Sequence, residues 1–101
     1  MSAAATLDPL TLAEALIRAP SVTPLDAGAL PHLASVLTPL GFRCRLQEFS
    51  EPGTDPVLNL YARFGSGGRN FCFAGHTDVV PPGAPENWTS DPFAPATRDG
   101  M

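Results

Sequence analysis

His76 and Asp78 stand two positions apart in the stretch FCFAGHTDVVPPG, residues 71–83. In extended chain, such positions point the same way, with their backbones about 6 to 7 Å apart. The Asp78 carboxylate can then hold one imidazole nitrogen and leave the other free. Three uses of such a pair are open. A carboxylate behind a metal-binding histidine fixes its tautomer and raises its basicity. An aspartate behind a general-base histidine orients it for proton transfer. The same hydrogen bond also occurs at strand ends with no chemistry attached, and an HxD pattern alone does not choose among the three. A catalytic zinc typically takes three protein groups plus water, and only His76 is well placed as a ligand. Asp91 and Asp99 precede a proline and a glycine, where aspartate is a turn former. Ser21, Ser66 and Ser90 lack a nucleophile-elbow context. The GSGG run at residues 65–68 is followed by no GK[ST], so it is not a phosphate loop.

Elements must deliver the pair to a usable place. The segment LDPLTLAEALIRAP predicts a first helix, with Asp8 as N-cap and Pro9 at the first helical position. Leu12 with Leu16 and Ala13 with Ile17 form one apolar side, and Glu14 pairs with Arg18 at i,i+4. Pro20 ends this helix, and SVTP follows as a short loop. Leu30, Leu33, Leu37 and Leu40 predict a second helix within residues 26–40, stopped by Gly41. Pro31 is too deep for a first turn capped by Asp26, so this helix either starts near Leu30 or is kinked. His32 falls off the leucine stripe and reads as solvent-facing.

Residues 42–49 and 57–64 alternate and predict strands. Residues 70–75, NFCFAG, are apolar on both faces and predict a central strand covered on two sides, carrying His76 to the sheet's rim. The GSGG link makes the last two strands antiparallel neighbours. The expected fold class is therefore α/β, with two helices covering a mixed β-sheet. Beyond Val80 periodicity stops. Trp88 and Phe93 are expected to pack back on the body of the domain, and Asp99-Gly100 is a hairpin signal.

Composition bounds the rest. The chain has 101 residues, a formal net charge of −4 and a hydrophobic fraction of 44%, which suits one ordinary domain or part of one. Its six basic residues are all arginines and are scattered, so no nucleic-acid footprint can be drawn. No apolar run approaches the length of a membrane span, and no secretory signal is visible, which makes the cytoplasm the expected compartment. Cys44 and Cys72 read as small buried hydrophobes in a reducing environment.

The pieces GHTDVVPPG and ENWTSDPFAPATRDGM resemble the succinyl-diaminopimelate desuccinylase family, two-zinc amidohydrolases of the aminoacylase and carboxypeptidase superfamily. LIRAPSVTP, LGFRCRLQEF and NLYARFG extend the resemblance over nearly the whole chain from Leu10. Acetylornithine deacetylases are the nearest rival. The resemblance implies that residues 1–101 are the N-terminal portion of a zinc-peptidase-like catalytic domain, truncated before its remaining ligands, its general-base glutamate and its lid and dimerisation domain. It implies His76 as a zinc ligand and Asp78 as the active-site acid supporting it. It also implies two zinc ions per subunit, with cobalt as a substitute, a small-molecule substrate and a homodimer for the full-length enzyme. The implied reaction is hydrolysis of N-succinyl-LL-2,6-diaminopimelate in lysine biosynthesis, with the fragment inactive alone. A reading of another class is a small non-catalytic domain whose proline-rich segment is a binding loop.

Overall fold

The computed structural model describes residues 6–101. Helix α1 spans Pro9–Arg18 and α2 spans Ala29–Leu37, followed by a 3-10 turn at Thr38–Leu40. Strands β1, Arg43–Phe49, and β2, Val57–Arg63, pair antiparallel, with Cys44 opposite Ala62 and Leu46 opposite Leu60. A short 3-10 helix at Pro85–Asn87 closes the element list.

Helix α1 forms as its sequence dictates. The Asp8 carboxylate accepts from the Leu10 amide at 3.2 Å and from the Thr11 hydroxyl at 2.6 Å, satisfying a backbone donor that the first turn leaves unpaired. Glu14 and Arg18 make the i,i+4 contact at 3.4 Å. Helix α2 begins at Ala29, which makes Pro31 its third residue. Within the first turn a missing N–H costs no helical bond, and the proline is accommodated. Asp26 still caps from outside the helix, accepting from the Leu30 amide at 3.1 Å. Gly41 stops the run at φ 101°, and a Cβ there would stand 3.0 Å from the Phe64 ring.

Leu58, Leu60 and Ala62 of β2 alternate inward, half-buried between exposed neighbours. Helix α2 lies on this sheet, and α1 packs on α2. Phe42 and Phe64 meet at the end of the pair with ring centroids 5.3 Å apart. The core is thin: among the described residues only Ala29 and Ser21 are fully buried. The radius of gyration is 16.3 Å, against about 13 Å for a compact domain of this length.

Several expectations are corrected. The sheet has two antiparallel strands and is not the mixed sheet expected. Residues 70–75 form no strand, although their pattern suits one. No segment among the described residues lies beside them to take their backbone bonds, and a strand exists only through such bonds. Phe71 and Phe73 are consequently 84% and 90% exposed, and they pack edge-on against each other, centroids 5.0 Å apart. Cys72 is exposed for the same reason, whereas Cys44 is half-buried under α2. Trp88 and Phe93 line a small pocket with Pro82, Gly83 and Pro85 of their own segment, not with the body of the domain. The Trp88 indole N–H donates to the Pro82 carbonyl at 2.8 Å.

The N-cap gives a pH dependence of known sign. The Thr11 hydroxyl, then the Leu10 amide, hold the Asp8 carboxyl below its usual value. A depressed folded-state pKa adds stability above the unfolded value, and this is lost as pH falls through the folded one. The helical far-UV signal of α1 is expected to weaken over that acid window in the wild type. In Asp8→Ala it should already be weaker at neutral pH and lack the acid step; an identical acid profile in both proteins would remove the cap from the account.

Candidate metal-ligand pair

His76 and Asp78 are brought together, though not by a strand end. The residues from 64 to 78 carry no regular structure, and the pair is held from outside. The Val79 amide donates to the Ser21 carbonyl at 2.9 Å, and the Thr23 amide donates to the Val79 carbonyl at 3.1 Å. These two bonds make an isolated parallel bridge between Val22 and Val79. The Ser21 hydroxyl, in a residue only 2% exposed, donates to the Thr77 carbonyl at 2.7 Å. The SVT stretch leaving α1 therefore grips the TDV stretch, some 55 residues later in the chain. A turn immediately follows it, closed by the Leu25 amide donating to the Val22 carbonyl at 2.9 Å.

Within this grip each Asp78 oxygen has its own partner. Oδ2 accepts from the Thr23 hydroxyl at 2.6 Å. Oδ1 lies 2.9 Å from His76 Nδ1, and the Asp78 carbonyl oxygen lies 3.0 Å from the same nitrogen. The Thr23 hydroxyl, and after it His76, hold the Asp78 carboxyl below its ordinary value, so at neutral pH it is an acceptor only. Nδ1 thus faces two acceptors and must carry the ring proton. The neutral ring's lone pair is then on Nε2, and the imidazole is 81% exposed. His76, Asp78 and Thr23 line a broad trough of about 1300 Å³ with β2 and Phe71.

An outward Nε2 lone pair braced by a carboxylate suits one ligand position of a metal centre. Among the described residues no group of three His, Cys, Asp or Glu side chains stands together as a metal site. The described residues therefore form no complete metal site around this pair. Asp91 and Asp99 lie elsewhere, in turns: Asp91 Oδ1 accepts from the Phe93 amide at 2.8 Å. Asp99 and Gly100, both at positive φ, form a tight turn in which Arg98 and Met101 exchange two backbone bonds. His32 is exposed on α2. Sequence reasoning missed Thr23 and Ser21 as site residues. The only local signal was a short polar–apolar–polar stretch before a proline, and its partner lies far along the chain.

No protein-family model matches the chain. It is 61% identical over 93 residues to the succinyl-diaminopimelate desuccinylase of Rhodospirillum centenum, covering 92% of this chain and 24% of that protein. It is 57% identical over 99 residues to the enzyme of the same name from Parvibaculum lavamentivorans, covering 98% of this chain and 25% of the relative. The chain matches a fragment of succinyl-diaminopimelate desuccinylase. The desuccinylase of Anaplasma marginale is likewise 54% identical over 94 residues, 93% of this chain and 24% of the relative. The chain thus spans about a quarter of the length of the curated relatives it matches.

Ser21 tests the grip itself. Ser21→Ala leaves the Thr77 carbonyl without its donor, which should cost about 1 kcal/mol. We expect roughly fivefold faster hydrogen exchange at the Val79 amide, with exchange in the β1–β2 ladder unchanged. Equal Val79 exchange in both proteins would show that the hydroxyl is not needed.

Proposed function

We propose that this chain is the N-terminal portion of the catalytic domain of a zinc-dependent succinyl-diaminopimelate desuccinylase, and that it supplies one zinc ligand, His76, with Asp78 as the acid that orients it. The observation carrying this reading is the His76–Asp78 geometry: Nδ1 is engaged by two acceptors and Nε2 is free and exposed. The similarity to desuccinylases supports it independently. The parent reaction would add water across the succinyl amide of N-succinyl-LL-2,6-diaminopimelate. The carbonyl carbon gains an oxygen, the C–N bond breaks, and the amine leaves with a proton, giving succinate and LL-2,6-diaminopimelate for lysine biosynthesis. Zinc, or cobalt in its place, supplies Lewis acidity toward water and the amide carbonyl when bound.

The chain's own residues have narrower tasks. His76 presents Nε2 in one tautomer. Asp78 takes the Nδ1 proton in a hydrogen bond and offsets the positive charge that a bound cation induces in the ring. The trough beside them gives a small-molecule substrate access to the same face. Two zinc ions per subunit would need ligands, and a general base, from the rest of the enzyme. The working form would be a cytoplasmic homodimer.

In the complete enzyme, Asp78→Ala is expected to weaken zinc affinity by about 10- to 100-fold, as removing such a brace typically does. Turnover should fall with it, and chelator competition and succinate release would measure the two effects. Wild-type zinc content and turnover in that variant would remove the proposed role. The reading frame beyond Met101 gives a second check. An aspartate soon after a glycine-rich turn, then an adjacent Glu-Glu pair further on, supports the enzyme; their absence favours a small non-catalytic domain.

A further inference from the structure

We propose that Thr23 is a positioning residue of this site: its hydroxyl holds the Asp78 carboxylate in the orientation that keeps the His76 proton on Nδ1 and turns the Nε2 lone pair outward. The inference deepens, and rests on, the reading of His76 as a metal ligand.

Packing holds Asp78 only loosely. Its side chain is 49% exposed, so packing leaves it room to turn. The terminal torsion of aspartate is soft and roughly two-fold. A carboxylate bonded only to His76 could swivel and offer either oxygen, or water, to the ring. Thr23 removes that freedom by taking Oδ2 at 2.6 Å, which leaves Oδ1 for Nδ1 at 2.9 Å. Thr23 Oγ1 also lies 3.5 Å from the Val79 carbonyl. A hydroxyl has one proton, and the nearer, charged acceptor takes it.

Thr23 is itself well anchored. Its amide donates to the Val79 carbonyl, and the Val79 amide returns a bond to Ser21, whose buried hydroxyl secures Thr77. Threonine is also stiff at χ1. A continuous set of contacts therefore runs from the end of α1, through Thr23 and Asp78, to the imidazole. Serine could make the same bond; valine has the same shape and branching but no donor.

The test reads the tautomer directly. In the 15N-histidine-labelled chain, metal-free and at a pH where the ring is neutral, long-range 1H–15N correlation distinguishes protonated Nδ1 from protonated Nε2. Wild type and Thr23→Ser are expected to show the Nδ1–H form. Thr23→Val leaves the Asp78 carbonyl, 3.0 Å from Nδ1, as the remaining fixed acceptor; it is expected to show a larger Nε2–H fraction than the wild type, and to need about tenfold more Zn2+ to move the Nε2 resonance. An unchanged tautomer and unchanged zinc response in Thr23→Val, with Val79 amide protection intact, would overturn the proposal. Should that variant lose the backbone bridge, the wild type decides instead: three-bond couplings to the Thr23 methyl carbon must report a single χ1 rotamer, and rotamer averaging would overturn the proposal. A wild-type ring that holds the Nδ1–H form but ignores Zn2+ supports the positioning role and counts against the metal reading, so the two failures are distinguishable.

Discussion

The clasp between residues 21–23 and 77–79 is the interaction on which the rest depends. Two backbone bonds and two hydroxyl bonds join stretches that lie some 55 residues apart. Closing a loop that long costs entropy, which must be repaid locally. Here the repayment is concentrated in one parallel bridge and one buried serine. Between β2 and Val79 the Gly65 carbonyl accepts from Arg43 at 3.4 Å, and residues 66–76 make no backbone–backbone hydrogen bond among the described residues. The clasp therefore does the work that a sheet does for most active-site loops.

The helices and the hairpin serve this contact indirectly. Two strands alone are only marginally stable, and they persist because α2 lies on them. Helix α1, packed on α2, delivers Ser21 and Thr23 to a fixed place immediately after its C-terminus. The β1–β2 pair in turn sets where the glycine-rich turn at residues 65–68 departs, and so where residues 70–78 can run. Three local elements, each specified by its own sequence, thereby determine where an irregular segment meets the loop that holds it.

What the sequence could foretell follows from how local each cause is. Helix α1 was legible in full, because the Asp8 cap, Pro9 and the Glu14–Arg18 pair all act within one or two turns. For α2, Pro31 left two alternatives, a start near Leu30 or a kink, and the helix takes the later start, at Ala29. The two strands were legible from alternation, but not their pairing: the glycine-rich link at residues 65–68 was expected to pair β2 with residues 70–75, whereas β2 pairs with β1. The strand expected at residues 70–75 was not formed, although its composition was read correctly. Apolar side chains on both faces state a demand for neighbours, whereas strand structure requires that the neighbours be present. Trp88 failed similarly: its size predicted a packing partner, and the proline-rich segment supplied one locally. The His76–Asp78 pair was legible because two residues' spacing is enough to bring the groups together. Thr23 was not, because its partner is known only once the chain has folded back.

The exposure of the pair also constrains what the clasp is for. Hydrogen bonds among solvent-exposed groups compete with water and add little net stability, so the Thr23–Asp78–His76 chain is a poor candidate for holding the fold together. Its geometry is nevertheless specific, with one donor for each carboxylate oxygen and a single tautomer left to the ring. An arrangement that is weak in energy but definite in direction is suited to orienting a group toward something that binds from outside. Were water excluded around such a chain, each bond in it would strengthen. Binding there would spend less of its free energy on arresting the ring and the carboxylate, because Thr23 has arrested them beforehand.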